Sequence, residues 1–307
     1  MIELLRAIKY KYLYFSASRC VANSNTIPKA LPEVAFIIGC GRSGTTLLGE
    51  LLSLHNDISY LFEPYYIWAA INPKLDILNL FNDIEALLIL DQNFFLKSHI
   101  FSFLRCIERF SSDNKSQILI EKTPLNVFRI GWLNRISPSA KYIHIVRDGV
   151  NVCTSIEKLA STNSYKIFGK PALNQWWGND YSKWKALNRD GISAGYFPHE
   201  VEMLDSHFSK AAYEWLLSLK EVDKWRSTLG DRLYEVTYDE LIFSPNNTLR
   251  KLSNFLGLAS QSEWLDQSVA KIKYSDSCIE DGPSLPVNMC EAFNQYQERY
   301  DFLHRVK

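Results

Sequence analysis

Val34–Leu54 reads VAFIIGCGRSGTTLLGELLSL and contains three successive structural signals. Val34–Ile38 is an apolar run bounded by glycine, which is typical of a buried parallel strand. The glycine-rich loop Gly39–Gly44 follows, and leucines at helical spacing begin after Thr45. A strand, a glycine loop and a helix in this order gather backbone N–H groups at the positive end of a helix. The segment therefore predicts an anion site, most often one for phosphate.

The loop differs from a Walker A sequence at one chemically important position. The spacing Gly39-x4-Gly44 matches, but Thr45 follows where Walker A has the lysine that bridges the β- and γ-phosphates. The cation lies inside the loop instead, as Arg42. Such a loop suits a 5′-phosphate and is badly equipped for a nucleoside triphosphate with magnesium. The residues expected to hold the phosphate are Gly41, Ser43, Gly44, Thr45 and Thr46. A tight turn without a ligand is the alternative.

Length and composition limit the class of protein. A chain of 307 residues can bury a full core, and we expect one domain over residues 1–307. Lysine plus arginine, 34 in all, equal aspartate plus glutamate, also 34, so no overall field attracts nucleic acid. The six cysteines are scattered without a C-x-x-C pair. We therefore expect neither a metal site nor a disulfide framework, and a reducing compartment fits.

The start of the chain predicts a docked helix. No run of 18 apolar residues occurs, so no membrane span is expected. Residues 1–15 are apolar but interrupted by Arg6, Lys9 and Lys11, and they lack the unbroken apolar region of a signal peptide. A helix that docks on the protein is the expectation, and a membrane-surface helix is the alternative. A cytoplasmic location is the default.

Further strands are predicted at 57–62, 117–120, 141–148 and 232–238. In an open parallel sheet, the carboxyl ends of the strands border the ligand crevice. Glu63 follows the second strand and is a candidate acid or base, with a surface salt bridge as the alternative. Lys122 follows the third strand and would place an ammonium group on the ligand, unless it is an ordinary surface lysine. His144 is interpreted as a strand histidine satisfied by a neighbour.

Helical spacing covers much of the remaining chain. The predicted helical segments are Leu75–Leu90 and Phe94–Phe110 within a mostly helical 65–110, Leu125–Ser137, Val150–Ala160 with Asp148 as N-cap, His207–Leu229, Ser244–Gly257 and Val287–Leu303. Residues 163–198 are less regular and rich in aromatic side chains, among them Trp176, Trp177 and Trp184. This segment predicts an insertion or lid whose rings stack on sugars or aryl groups. Packing between helices is the alternative.

Two motifs together resemble sulfotransferases that use 3′-phosphoadenosine 5′-phosphosulfate (PAPS). GCGRSGTT is similar to their 5′-phosphosulfate loop. Ile145–Ser155, IVRDGVNVCTS, is similar to their 3′-phosphate motif, in which a strand-ending arginine and a serine eight residues later hold that phosphate, here Arg147 and Ser155. With Tyr238, counted among the nucleotide-binding positions, the resemblance runs from about residue 34 to 258. It implies a P-loop-like parallel sheet flanked by helices, with PAPS as cofactor and no metal.

Within this family the pattern is most similar to the protein-tyrosine and bacterial branch. There a loop arginine is followed 21 residues later by a catalytic glutamate, which corresponds to Glu63 after Arg42. The resemblance implies that Glu63 deprotonates the acceptor, while Arg42 and Lys122 neutralise charge on the sulfuryl group. Ser275 would correspond to a late serine near the same oxygens. Leu285 stands where this branch has a lysine, which weakens the case for a tyrosine peptide as acceptor.

The sequence thus predicts transfer of a sulfuryl group from PAPS to a hydroxyl, with a carbohydrate or glycolipid favoured over a protein tyrosine or a small phenol. Two other classes remain as alternatives: a P-loop kinase or NTPase, and a nucleotide-binding protein without catalysis. The sequence predicts no oligomeric state.

Overall fold

The predicted strands come together in one parallel sheet. A computed structural model describes residues 2–22, 31–77, 85–111, 116–163, 175–273 and 280–307. Within these ranges the strands are β1 Glu33–Ile38, β2 Ile58–Phe62, β3 Ile118–Lys122, β4 Lys141–Val146 and β5 Leu233–Thr237. Their order across the sheet is β2-β3-β1-β4-β5, and each neighbouring pair is parallel. All five carboxyl ends therefore lie at one edge.

Helices cover both faces of this sheet. The α-helices of the described ranges are α1 Ile2–Ala22, α2 Thr45–Leu52, α3 Tyr65–Ile71, α4 Lys97–Phe110, α5 Ile130–Ile136, α6 Gly149–Thr162, α7 Ser182–Ser193, α8 His207–Leu229, α9 Tyr238–Phe243, α10 Pro245–Leu256, α11 Ser262–Lys271 and α12 Val287–Arg299. Across those ranges, each helix is too short or too polar to cross a membrane.

The two faces of the sheet bury separate apolar clusters, because successive side chains of a strand point to opposite faces. Phe36 and Ile38 of β1 belong to the larger cluster, which also takes in buried residues of α3 to α6, α8 and α12. Ala35 and Ile37 belong to the smaller one, with buried leucines of α2, α9 and α10. The predicted fold class, a parallel α/β sheet flanked by helices, is confirmed.

Most predicted helices form, and Asp148 caps α6 by accepting a hydrogen bond from the Asn151 amide at 3.0 Å. The helix predicted over Phe94–Phe110 begins only at Lys97, because Gln92–Phe94 forms a short 3-10 turn capped by Asp91. The helix predicted over Leu125–Ser137 is divided into a 3-10 segment and α5.

The helix predicted over Leu75–Leu90 is wrong in its described part; residues 78–84 lie outside the described ranges. Pro73–Leu75 is a 3-10 turn, and residues 85–91 have no regular structure. The Asp190 carboxylate of α7 accepts the Leu88 and Ile89 amides at 2.6 and 3.0 Å. Leu88 and Leu90 are buried without being helical, and the Leu88 and Ile89 amides that a helix would pair internally are satisfied by a distant side chain.

Glu235 of β5 joins four elements behind the sheet edge. Its carboxylate contacts His144 of β4 at 3.0 Å, accepts hydrogen bonds from Arg226 of α8 at 2.5 and 3.0 Å, and accepts one from Tyr300, after α12, at 2.9 Å. Burial alone would raise the pKa of Glu235, but the bonds from these partners hold it well below its usual range. The histidine is thus satisfied by a neighbour, as predicted.

We expect Glu235→Gln to lower the free energy of unfolding at neutral pH by about 2 kcal/mol, since bonds to a charged acceptor are lost. The folded-state pKa lies below the ordinary value of 4.5, so the carboxylate stabilises the fold above that pH and loses the effect as pH falls. Urea denaturation between about pH 7 and pH 3 should therefore show a shallower acid loss for the variant. Exposed Glu202→Gln is the control, and a wild-type pH profile for Glu235→Gln would contradict the assignment.

Candidate active site

The glycine loop between β1 and α2 has a backbone that requires glycine at two points. Gly44 precedes α2 in the left-handed region, with φ 95°, where side chains are strained. A Cβ atom on Gly44 would also lie 2.4 Å from Cδ2 of Tyr238. On Gly39, with φ 150°, it would lie 2.5 Å from the carbonyl oxygen of Ile145 in β4. The loop is thus closely packed against the ends of β4 and β5.

Ser43 of this loop has a buried hydroxyl group that could donate a hydrogen bond to a ligand. Its side chain is 1% exposed, and among the residues that the structure describes its Oγ has no hydrogen-bond partner. A buried hydroxyl without a partner is unfavourable. The adjoining first turn of α2 also begins with N–H groups that have no partner within the helix. An anionic oxygen bound here would satisfy both.

Lys122, at the end of β3, connects β2 to the start of α2. Its Nζ donates to Oε1 of Glu63 at 2.6 Å and to Oγ1 of Thr46 at 2.9 Å. The lysine side chain is fully buried, whereas the Glu63 side chain is 19% exposed. Burial lowers the pKa of Lys122, and the Glu63 carboxylate opposes that effect. The structure therefore places an accessible carboxylate on a buried cation beside the glycine loop.

The backbone of Glu63 is also unusual. Its φ is 43°, and its amide donates to the Lys122 carbonyl at 2.8 Å. Left-handed conformations of residues other than glycine are strained and concentrate at functional sites. The neighbouring Phe62 is 54% exposed, and its ring lies 4.2 Å from Lys122 Nζ. An apolar ring thus lies at the solvent side of the carboxylate–lysine pair.

A second group of side chains lies on the other side of the loop. Arg42 Nε donates to Ser155 Oγ at 3.1 Å, and Arg147 donates to the Arg42 carbonyl at 3.3 Å. The Arg147 guanidinium lies 4.5 Å from the ring centre of Tyr238. The structure therefore brings together Arg147 at the end of β4, Ser155 on α6 and Tyr238 after β5, and the loop arginine contacts this group rather than Lys122.

The turn that carries Arg147 is held by the C-terminal part of the chain. The Asp148 carboxylate accepts from Gln297 of α12 at 3.0 Å and contacts Nδ1 of His304 at 2.9 Å. Trp215 of α8 donates its indole N–H to the Arg147 carbonyl at 3.2 Å. These bonds fix the strand end from which the arginine side chain projects.

Glu121, just before Lys122, is a positioning residue that our sequence analysis missed. It is 1% exposed and accepts hydrogen bonds from Trp68, Thr123 and Asn126 at 3.0, 2.5 and 2.8 Å. Burial raises the pKa of Glu121 to about 7, against the lowering effect of these bonds. The carboxyl group ties α3, which follows Glu63, to the turn after Lys122. A charged residue directly after Ile-Leu-Ile was the available signal.

The aromatic segment 163–198 differs from its prediction where it is described; residues 164–174 lie outside the described ranges. Trp176 and Trp177 are buried in the larger apolar cluster, so stacking on a ligand is wrong for them and packing is correct. Trp176 donates to Glu214 of α8 at 3.1 Å, and Lys183 pairs with the same carboxylate at 2.6 Å. A Cβ atom on Gly41 would lie 2.7 Å from Cη2 of Trp176. This segment therefore supports the glycine loop from behind.

The structure thus brings eleven of the twelve predicted site residues to one edge of the sheet or to the loop beside it. They form two groups, Glu63 with Lys122 and Thr46 on one side, and Arg42 with Arg147, Ser155 and Tyr238 on the other. Of the remaining residues, Gly41, Ser43 and Gly44 lie between β1 and α2, and Thr45 begins α2. Ser275 lies outside the described residues.

Comparison with known proteins agrees with this architecture. A family model described as the sulfotransferase family matches residues 33–201, more than half of the chain. Sulfotransferase STF9 from Mycobacterium avium superposes with a TM-score of 0.56 at 13% identity, over 91% of this chain and 79% of that one, which shows the same fold. The sulfotransferase domain of the Synechococcus PCC 7002 olefin synthase gives 0.48 at 17% identity, over 88% and 97%. No curated protein matches the sequence.

A parallel sheet with a glycine loop at its central strand and cations at the neighbouring strand ends defines a P-loop-like α/β protein. The match to the family model then gives the particular family. The chain belongs to the sulfotransferase family.

Gly41→Ala should reduce the free energy of unfolding by roughly 1–3 kcal/mol, because its new methyl group displaces the Trp176 indole. In a Trp176→Ala background, Gly41→Ala should lower the free energy of unfolding much less. The difference between the two effects is the energy of the steric contact between residue 41 and Trp176. Urea denaturation of the four proteins of this cycle is the measurement. Gly195→Ala is the control, because a Cβ atom there meets open space and its effect should not depend on Trp176. Equal effects of Gly41→Ala in both backgrounds would contradict the contact.

Proposed function

We propose that this sulfotransferase takes the sulfuryl group from PAPS and transfers it to an acceptor hydroxyl. One observation carries the proposal. The glycine loop is flanked by two chemically different groups, the Glu63–Lys122 pair toward β2 and the Arg42–Arg147–Ser155 group toward β4. A nucleotide with phosphates at both its 5′ and 3′ positions needs two anion sites, and an acceptor hydroxyl needs a base.

The described residues fit the 5′ end of such a nucleotide. The loop offers backbone N–H groups at the start of α2, together with the Ser43 hydroxyl, which has no partner among the described residues. Gly41, Gly44, Thr45 and Thr46 complete the proposed phosphosulfate site. PAPS, when bound, supplies the sulfuryl group and leaves as 3′-phosphoadenosine 5′-phosphate.

The second group fits the 3′-phosphate. Arg147 and Ser155 supply a guanidinium and a hydroxyl, the donor types that suit phosphate. Tyr238, beneath the Arg147 guanidinium, orients it. Arg42 belongs to this group in the structure, so we assign the charge on the transferred sulfuryl group chiefly to Lys122. A role for Arg42 beside the sulfuryl group stays a prediction, as does the role of Ser275.

Glu63 is proposed as the general base. Its carboxylate is accessible, and the bond to Lys122 fixes one oxygen, so the other is available to receive the acceptor proton. Lys122, held by Thr46 as well, stabilises negative charge that moves between oxygens during an in-line transfer. Because the lysine is buried, its charge is weakly screened and acts strongly on this group.

The surface beside Glu63 bears on the class of acceptor. The aromatic segment of the sequence favours a carbohydrate or glycolipid, but Trp176 and Trp177 are buried in the structure. Phe62, exposed beside Glu63, provides an apolar ring for the acceptor. The C–H face of a sugar and the ring of a phenol both pack on such a surface. We retain the carbohydrate acceptor as a proposal, to be tested against phenols and tyrosine peptides.

Calorimetric titration tests the cofactor. We expect tight binding of 3′-phosphoadenosine 5′-phosphate and weak binding of ATP with magnesium, because the loop lacks the Walker lysine. Arg147→Ala should weaken binding of the bisphosphate by roughly 10–100-fold, since a charge-assisted bond is lost. Adenosine 5′-phosphate should bind the variant and the wild type about equally. An equal loss for both nucleotides would mean that Arg147 has only a structural role.

Activity of Glu63→Gln tests the base. We expect sulfuryl transfer to fall roughly 10²–10⁴-fold, with 3′-phosphoadenosine 5′-phosphate binding retained as evidence of a folded site. The assay uses sugars, glycolipids, phenols and tyrosine peptides as acceptors. Glu50→Gln, an exposed carboxylate on α2, is the control and should keep wild-type turnover. Full activity of Glu63→Gln would assign the base elsewhere, and turnover on phenols alone would remove the carbohydrate proposal.

A further inference from the structure

The N-terminal helix α1 has two opposite apolar faces, and the described residues of the protein pack on one of them. Tyr10 and Ala17 are buried, and the Tyr10 ring makes an edge contact with Tyr66 of α3 at 6.0 Å between ring centres. This confirms that the helix docks on the protein. Because α3 directly follows Glu63, α1 packs against the element that leads away from the proposed catalytic carboxylate.

The other face of α1 exposes a continuous apolar stripe. Leu5, Ile8, Tyr12 and Phe15 are each between 54% and 63% exposed. Their spacing of three and four residues places them on one side of the helix, within an arc of about 80° at 3.6 residues per turn. Large apolar side chains are normally scattered on a surface, whereas a contiguous stripe marks a binding face.

Cations border this stripe. Lys9 and Lys11 are exposed and lie on either side of the stripe at helical spacing. Within the described part of the chain, neither lysine forms an ion pair with a carboxylate. An apolar stripe with a lysine on either side suits a helix that lies in the plane of a bilayer surface, with its lysines on anionic headgroups.

The stripe continues into an open cleft between α1 and α4. The cleft has a volume of about 610 Å³ and is lined by Tyr12 and Phe15 of the stripe and by three arginines, Arg19, Arg105 and Arg109. One acidic residue, Glu108, lines it as well and contacts Arg105 at 3.3 Å. The Arg105 Nε is buried and has no partner among the described residues. The cleft therefore has cationic donors in excess over its carboxylate.

We propose that the outer face of α1 and the adjoining arginine cleft bind the surface of a membrane that contains anionic phospholipids. The stripe enters the boundary between headgroups and acyl chains, the lysines lie at the headgroup level, and the arginines of the cleft bind lipid phosphate. The apolar stripe favours a membrane over a free anion, and the flanking cations favour anionic lipid over a neutral surface.

Vesicle flotation of the full chain tests this proposal. The protein should float with phosphatidylcholine vesicles that contain phosphatidylserine and remain unbound with phosphatidylcholine alone. Ile8→Gln/Phe15→Gln should lower partitioning at least about tenfold, because two apolar side chains no longer leave water. Lys9→Gln/Lys11→Gln should lower it about 30-fold. Raising the salt concentration should weaken binding of the wild type.

Two control variants test whether the loss of vesicle binding is specific to α1. Phe243→Gln removes an exposed phenylalanine of α9, and Lys251→Gln removes an exposed lysine of α10; both should bind vesicles like the wild type. The lysine variant leaves the apolar stripe intact, so it tests the proposal even if the Ile8→Gln/Phe15→Gln protein is less stable. Because the readout is vesicle binding, its outcome does not depend on the proposed transfer reaction.

Three results would overturn the proposal. Wild-type protein that stays unbound with anionic vesicles would do so directly. Unchanged vesicle binding by Ile8→Gln/Phe15→Gln would show that the stripe is not the contact surface. A wild-type dimer in light scattering that becomes a monomer in this variant, with no vesicle binding by either protein, would assign the face to a second copy of the chain.

Discussion

The packing of Tyr238 against Gly44 is the constraint at the centre of the site. Gly44 takes a left-handed conformation just before α2, and a side chain there would collide with the tyrosine ring. Tyr238 directly follows β5 and also lies beneath the Arg147 guanidinium at the end of β4. One close contact therefore fixes the glycine loop, the start of its helix and the orientation of an arginine with respect to each other.

The parallel sheet then divides the site into two chemical halves. The loop leaves the central strand β1, with β3 and β2 on one side and β4 and β5 on the other. The β3 side carries a buried lysine paired with a carboxylate, and the β4 side carries two arginines and a serine. Because all strands are parallel, both halves lie at the same edge, as expected for a crevice at the carboxyl ends of strands.

Buried carboxyl groups hold the elements behind this edge. Glu121 ties α3 to the turn after β3, Asp148 ties the C-terminal segment to the Arg147 turn, and Glu214 ties Trp176 and Lys183 to α8. Removing one partner of a buried ion pair, such as Lys183 from Glu214, is unfavourable by roughly 3–5 kcal/mol. Each carboxyl group therefore permits few alternative arrangements of the helix it binds, and the reactive side chains project from fixed positions.

Features that depend only on neighbouring residues could be predicted from the sequence. The apolar runs predicted the strands, the glycines predicted the loop, and His207–Leu229 forms a helix with the predicted bounds. Arg147 ends a strand and Ser155 lies on the helix that follows it, so the short chain between them already fixes their relative positions. Only the folded chain shows that Leu88 and Ile89 bind Asp190 outside any helix, that Trp176 is buried, and that Arg42 reaches Ser155. The first and third outcomes depend on partners about a hundred residues away in the sequence, and the second depends on packing against α8. Periodicity and propensity describe only the local chain, so they contain no information about which distant carboxylate or hydroxyl will meet a given donor.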